Sequence, residues 1–147
     1  MKKDMSPGAF YALSLTWGCI TTLGGALVAL ALLITGHRPK KWGYAWCFEA
    51  GRGWGGFSMG PFLVTCRDGG QRLRDHEFGH SIQNCRFGPL MPFLVSIPSS
   101  TRYRWRLFRE RVLKKPSATP YDSVWFEAQA TRLGTEFMTR FREKEME

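Results

Sequence analysis

Residues 75–84 read DHEFGHSIQN, and this stretch contains the pattern HExxH, with His76, Glu77 and His80 as its fixed letters. It lies inside residues 71–86, which contain no proline, so we predict a helix there. Side chains four residues apart share one face of a helix, so both imidazoles can reach a single ion. Glu77 lies beside the first imidazole, where it can accept a proton from a water on that ion. The pattern therefore predicts a zinc site with a general base.

A hydrolytic zinc site takes three protein ligands and one water, so the two histidines need a third donor. We predict a last helix from near Pro120 to Arg142, because proline suits the first turn of a helix. Five of its residues share one stripe at helical spacing that looks buried: Glu127, Ala130, Gly134, Phe137 and Phe141.

A carboxylate on such a stripe needs a cation or several hydrogen-bond donors when it is buried. Glu127 is therefore the predicted third ligand. One alternative is a salt bridge between Glu127 and one of the many arginines of the chain. The other is ligation by Asp122, a helical turn or more earlier, or by Glu136, which lies off the stripe.

HEFGH followed by EAQATRLG, which begins at Glu127, resembles the gluzincin metallopeptidases, in particular their membrane-anchored CAAX-prenyl-protease and HtpX-like branch. The second motif of that branch reads ExxADxxG, and Glu127, Ala130 and Gly134 match it. The chain departs from the family at Thr131, where the family has an Asp that hydrogen-bonds a zinc-binding histidine. Either Asp75 or Asp122 supplies that hydrogen bond instead, or the site is weakened.

This resemblance implies a minimal zincin-like domain that hydrolyses peptide bonds. Glu77 would accept a proton from the zinc-bound water and pass it to the leaving amine. Tyr121, Arg132 and Tyr103 are candidate donors to the oxyanion of the transition state. By analogy with zincins, residues 57–66 would form the strand that aligns the substrate backbone, although a plain core strand is an equally good interpretation.

Residues 9–35 carry no charged side chain and would make roughly 40 Å of helix, enough to cross a bilayer. The stretch is too long for the apolar part of a secretory signal, so we predict a retained single-pass anchor. One helical face of it carries small residues: Gly18, Thr22, Gly25 and Ala29. Such a face would let a second copy of the helix approach, but glycine is also simply common in membrane helices.

Charges on both sides of this anchor set its predicted orientation. Lys2 and Lys3 precede it, and Arg38, Lys40 and Lys41 follow it. The excess after the anchor predicts a cytoplasmic C-terminal domain, which we place at a bacterial inner membrane.

The chain has 147 residues and a net charge of +9, from 21 basic and 12 acidic residues. This length excludes an enzyme with separate substrate and cofactor domains. Residues 101–115, TRYRWRLFRERVLKK, interleave basic residues with Trp105, Phe108 and Val112. We predict that they contact an anionic lipid surface, since the anchor precedes them; nucleic acid is the less favoured polyanion, and an inert solvated face is a third interpretation.

The predicted architecture is an α+β membrane protein. Residues 1–41 form the transmembrane anchor with its basic flanks, and residues 42–147 form the zincin-like domain. That domain contains a short antiparallel sheet from residues 44–49 and 57–66, the HExxH helix and the last helix. Residues 87–98 are apolar but contain three prolines, so they form either a loop packed on the core or a dip into the membrane interface.

The predicted function is that of a membrane-anchored zinc metallopeptidase that cleaves peptides or membrane-proximal protein segments. The alternative is a non-catalytic membrane protein whose zinc site is structural or vestigial and which acts in partner or lipid binding.

Overall fold

The structure of the protein, a computed structural model, describes residues 5–116, 119–120 and 123–147. These residues form an α+β fold with five α-helices and a four-stranded mixed sheet. The elements in chain order are α1 (Pro7–Leu15), α2 (Cys19–Ile34), β1 (Lys40–Trp42), β2 (Ala45–Glu49), β3 (Gly56–Met59), β4 (Phe62–Thr65), α3 (Gln71–Phe87), α4 (Ile97–Arg111) and α5 (Trp125–Glu145).

The sheet has the strand order β1-β2-β4-β3. The predicted antiparallel pairing of residues 44–49 with residues 57–66 is wrong, because β2 pairs with β4 in parallel. Residues 57–66 instead fold back on themselves as the β3–β4 hairpin. Gly60, at a φ of +61°, and Pro61 form its turn, so this Gly-Pro pair interrupts what looks in the sequence like one strand. β1 is an additional strand that the sequence did not indicate.

The helix that carries HExxH, α3, lies at the centre of the fold and packs against both the sheet and α5. Its predicted extent, residues 71–86, is confirmed to within one residue. Gly79 of α3 and Gly134 of α5 allow the two helices to approach closely. A Cβ atom on Gly79 would lie 1.9 Å from the carbonyl oxygen of Ala130, and one on Gly134 would lie 1.7 Å from that of Asp75. Only glycine fits at either position.

The predicted single helix over residues 9–35 is wrong, because the chain breaks between α1 and α2. No single described helix has both the length and the apolar composition of a membrane span. Helices α1 and α2 meet these requirements only when taken together, with a bend of 94° between them. Gly18 permits close packing at this break, since a Cβ atom there would lie 2.3 Å from Nδ2 of Asn84.

Helix α1 belongs to the same core as α3. Phe10 is completely buried, and its ring stacks on that of Phe78 with 5.8 Å between the ring centroids. Ser14 is also buried, and its hydroxyl lies 3.5 Å from the thiol of Cys85 on α3. Tyr11 donates a hydrogen bond of 2.5 Å to the carbonyl of Tyr44, next to β2. These contacts bind the start of the described chain to the domain that carries HExxH.

Helix α2 turns its small residues inward, to the sheet. Thr22, Gly25 and Ala29 are buried, and a Cβ atom on Gly25 would lie 2.3 Å from the carbonyl oxygen of Met59. The small-residue face that could have received a second copy of the helix is thus covered by the chain's own β3–β4 hairpin.

Residues 87–98 are helical, so the predicted loop is wrong. A 3-10 turn at Gly88–Leu90 and a π turn at Pro92–Ser96 lead directly into α4. Each of the three segments has its proline at its first or second position. Residues at the start of a helix make no hydrogen bond through their N–H, so proline is tolerated there. Met91 and Val95 of this stretch are buried, in a small cluster with Phe126 of α5.

Candidate metal centre

Three side chains of the HExxH motif and of α5 meet at one buried point. Oε2 of Glu127 lies 3.1 Å from Nε2 of His76 and 3.3 Å from Nε2 of His80. The ligand atoms of the three residues all lie within 4.8 Å of one another. Glu127 is completely buried, and both imidazoles are nearly so. The structure thus brings together the three residues that the sequence predicted as metal ligands.

The tautomer of His80 is fixed by a buried glutamine one turn further along α3. Nε2 of Gln83 donates hydrogen bonds to the carbonyl of Phe126, at 2.8 Å, and to Oε1 of Gln129, at 3.0 Å. Its own Oε1, 2.7 Å from Nδ1 of His80, is then left as an acceptor. His80 therefore carries a proton on Nδ1, so that Nε2, on the side of Glu127, is the nitrogen that could bind a metal ion.

Thr131 takes the place of the family's Asp beside the first histidine. Its hydroxyl lies 2.8 Å from Nδ1 of His76. Asp75, considered for this role, is not available, because its carboxylate binds Arg142 at 2.6 Å and the indole of Trp42 at 3.0 Å. Asp122, the other candidate, lies outside the described residues. A neutral hydroxyl accepts a hydrogen bond more weakly than a carboxylate does.

The second oxygen of Glu127 is held by a serine of α4. Oγ of Ser99 donates a hydrogen bond of 2.5 Å to Oε1. Burial would raise the pKa of Glu127, but its contacts with His76 and His80 and this hydrogen bond hold the pKa well below its ordinary value. The carboxylate is thus ionised, with one oxygen held by Ser99 and the other directed at the imidazoles.

The donor set fits a divalent metal ion. Oε2 of Glu127 is buried and receives no hydrogen bond of acceptable geometry from the described part of the chain. A buried, ionised carboxylate is costly unless a cation lies beside it. Two imidazole nitrogens and one carboxylate oxygen are ligands that Zn²⁺ accepts readily, and three protein ligands leave a position for solvent.

Glu77 lies beside this point and lines the same cleft as the two histidines. Its carboxyl is buried, and its Oε2 has no hydrogen-bond partner among the described residues. Burial raises the pKa of Glu77, an effect that the two neighbouring histidines partly oppose. Strand β3 passes close to this side chain, since a Cβ atom on Gly56 would lie 3.1 Å from it.

A cleft of about 410 Å³ opens over His76, Glu77 and His80. One wall is β3, and the other consists of residues between Met91 and Arg104. A second cavity, of about 540 Å³, shares His76 and Glu77 with the first. Tyr103 lines both cavities, and its hydroxyl donates a hydrogen bond to the carbonyl of Trp54.

The remaining predicted residues fall into two groups. Arg132, a predicted oxyanion donor, is exposed and lines neither of these two cavities. Glu136 is not part of the metal-binding group. Tyr121 lies outside the described residues, as Asp122 does.

Two residues of the centre were missed by the sequence reasoning. Gln83 lies three residues after His80 and thus on the same face of the helix, which is a signal that could have identified it. Ser99 has no such signal, because it is distant in sequence from both motifs and its position depends on how α4 packs.

Comparison of the chain with protein-family models, with curated proteins and with solved structures finds no match. The resemblance to gluzincins therefore rests on the residues of the two motifs and on the geometry that they adopt.

Proposed function

We propose that this protein is a zinc-dependent metallopeptidase. The observation that carries the proposal is the approach of Oε2 of Glu127 to both Nε2 atoms of the HExxH pair, at 3.1 and 3.3 Å, below an open cleft. Glu77 lines that cleft beside the histidines, where a general base is required.

His76, His80 and Glu127 would hold the zinc ion. Bound zinc supplies a water whose pKa is lowered to about 7 and polarises a carbonyl group. Glu77 accepts the proton of the attacking water and delivers it to the leaving amine. Its raised pKa suits both steps, because a base that must later act as an acid works best near neutral pH. Tyr103 is the candidate donor to the developing oxyanion.

The position of β3 supports a role in aligning the substrate. Within the described sheet β3 pairs only with β4, and its residues line the cleft on the side of the histidines. An extended peptide can add to such an edge through main-chain hydrogen bonds. Of the predicted substrate strand, residues 57–66, only the half in β3 occupies this edge; β4 lies inside the sheet.

Peptides and membrane-proximal protein segments are the proposed substrates, and the membrane is the proposed place of action. The uncharged residues 9–35 and the basic segment 101–115 support this location. An anionic lipid surface is the corresponding partner. The cytoplasmic side of a bacterial inner membrane follows from the excess of basic residues after the apolar segment.

The test is metal analysis of the purified protein together with cleavage of a peptide panel. We expect one zinc ion per chain, peptide cleavage by the wild type, and a loss of at least 100-fold in activity for Glu77→Gln with zinc retained. Glu127→Gln should lose both zinc and activity. Glu136→Gln, on the same helix but outside the centre, is the matched control and should keep both. A wild type without stoichiometric zinc, or a Glu77→Gln variant that cleaves normally, contradicts the proposal.

The replacement of the family's Asp by Thr131 favours a second candidate, a membrane protein with a structural or vestigial zinc site that acts in partner or lipid binding. In that case zinc is bound, a fourth protein ligand fills the solvent position, and no peptide of the panel is cleaved.

A further inference from the structure

The outward face of α2 is a continuous stripe of large apolar side chains. Every member is more than half exposed, and the stripe runs the length of the helix: Ile20, Leu23, Leu27, Leu30 and Ile34. Leu23 and Leu27 are exposed to 66% and 70%. These positions recur every three or four residues, so they lie on one side of the helix. We call these five residues the α2 stripe.

The opposite side of α2 is covered by the folded domain. Ala29 packs with Phe48 and Val64 of the sheet, and Gly24 and Gly25 lie against Met59. The small residues thus face protein and the large apolar ones face outward, which is the reverse of a helix on the surface of a water-soluble domain. Lipid can reach this helix from one side only, unless its contacts with the sheet are broken.

A second exposed apolar group lies next to the start of α2. Helix α2 contacts the turn Gly88–Leu90, and the indole of Trp17 lies against Gly88. Leu90, Phe93 and Ile97, in and after this turn, are each more than half exposed. The apolar surface is therefore wider than one helix, and monomeric soluble proteins rarely leave surfaces of this kind uncovered.

The basic residues of the chain indicate which kind of partner covers this apolar surface. The chain carries a net charge of +9, and the exposed Arg38, Lys40 and Lys41 follow directly after α2. Helix α4 adds further basic side chains with no buried residue among them. Apolar residues that enter the acyl boundary while basic residues remain at the headgroups are typical of one-sided attachment to anionic membranes.

We propose that the α2 stripe lies in one leaflet of an anionic bilayer, parallel to the membrane plane, so that the chain is attached from one side and does not cross. Met59 packs on Gly24 and also lines the cleft, so the cleft adjoins the side of α2 that faces the domain. The attachment itself does not depend on zinc or on catalysis.

The first test is flotation with vesicles of phosphatidylcholine and phosphatidylglycerol, in the presence of EDTA. The variant L23E/L27E places two carboxylates in the stripe. Both sites are exposed, so the fold should be retained, as circular dichroism can verify. We expect the wild type to float and L23E/L27E to bind at least 10-fold more weakly.

The matched control is T135E/T139E, which adds the same charge at the same spacing on the exposed side of α5, and it should float like the wild type. Unchanged flotation of L23E/L27E, or an equal loss in the control, overturns the proposal.

The second test distinguishes one-sided attachment from crossing. Gly8→Cys and Met146→Cys are introduced one at a time in a Cys19→Ser background, in which the remaining cysteines are buried. Each protein is added to preformed vesicles and exposed to a membrane-impermeant maleimide. Both positions are exposed in the structure, and a Cβ atom on Gly8 would meet no other part of the fold within 4 Å. We expect both cysteines to react as completely as in detergent. Protection of either one in vesicles overturns the proposal. Because neither assay measures zinc or cleavage, failure here and failure of the peptidase proposal are distinguishable.

Discussion

At the scale of single residues, the candidate metal centre depends on side chains that orient its three candidate ligands, His76, His80 and Glu127. Gln83 fixes the tautomer of His80, and Ser99 holds one oxygen of Glu127 so that the other faces the histidines. Loss of such partners typically weakens metal affinity or activity by about 10- to 100-fold. Thr131, beside His76, is a weaker hydrogen-bond acceptor than a carboxylate would be.

A carboxylate at position 131 should therefore strengthen the site. We expect Thr131→Asp to tighten zinc binding by roughly 10-fold, because an ionised acceptor makes His76 a more basic ligand. Competition titration with a zinc-selective chelator measures the change. Thr135→Asp, one turn further along and exposed, adds the same charge away from the centre and should leave the affinity unchanged. A weaker zinc affinity in Thr131→Asp would show that the hydroxyl does not fill the role of the carboxylate.

Glu77 should lower the stability of the metal-free protein at neutral pH. Its folded-state pKa is raised above the ordinary value of 4.5, so the folded chain binds this proton more tightly than the unfolded chain. Well below pH 4.5 Glu77 is protonated in both the folded and the unfolded chain, so it does not change the stability. As the pH rises above 4.5, its ionisation destabilises the folded chain. We expect Glu77→Gln to raise the free energy of unfolding by about 1 kcal/mol or more at pH 8 in EDTA. Urea unfolding at pH 8 and pH 4 checks this, and a gain of equal size at both values would contradict the explanation.

At the scale of secondary-structure elements, the crossing of α3 and α5 brings Glu127 to the histidines. Two glycines, Gly79 and Gly134, remove the side chains that would separate the helix axes. Both glycines belong to the two motifs, HEFGH and EAQATRLG. Their position in the motifs thus has a packing reason, independent of any chemistry at the ion.

A methyl group at this crossing should disturb fold and site together. We expect Gly134→Ala to destabilise the protein by about 2 kcal/mol and to weaken zinc binding, since the new Cβ would meet the backbone of Asp75 and push the helices apart. Gly8→Ala, at an open position of α1, should be neutral or slightly stabilising because alanine favours helix. Thermal unfolding and zinc titration measure both variants. An equal effect of the two substitutions would mean that the close approach is not required.

At the scale of the whole molecule, one end of the cleft adjoins the inward side of α2, the helix whose outward side is proposed to lie in the membrane. A substrate that is held at the same surface does not have to find the cleft from solution. We expect a peptide tethered to anionic vesicles to be cleaved at least 10-fold faster than the same peptide free in solution, at equal bulk concentration. The L23E/L27E variant should cleave the free peptide normally and lose this advantage. If the variant keeps the advantage, the α2 stripe does not bring the cleft to the membrane.

The sequence by itself determined which three side chains meet at the candidate metal centre. Helix geometry determines which side chains share a face, so two histidines four residues apart can bind one ion. A carboxylate on an apolar stripe is buried and requires a partner, so it is predicted to meet them. The extents of α3 and of the apolar N-terminal segment follow from local patterns of the same kind.

Only the tertiary structure decided what these segments pack against. Residues 9–35 have the composition of one long helix, but burial of Phe10 against Phe78 and the contact of Gly18 with Asn84 bend the segment into two. Likewise, non-local contacts decide whether a strand pairs in parallel or antiparallel, as β2 and β4 show. Ser99 reaches Glu127 only because α4 packs beside the cleft. Local periodicity specifies which face of an element is apolar, whereas the partner of that face is set by packing energy between segments distant in sequence.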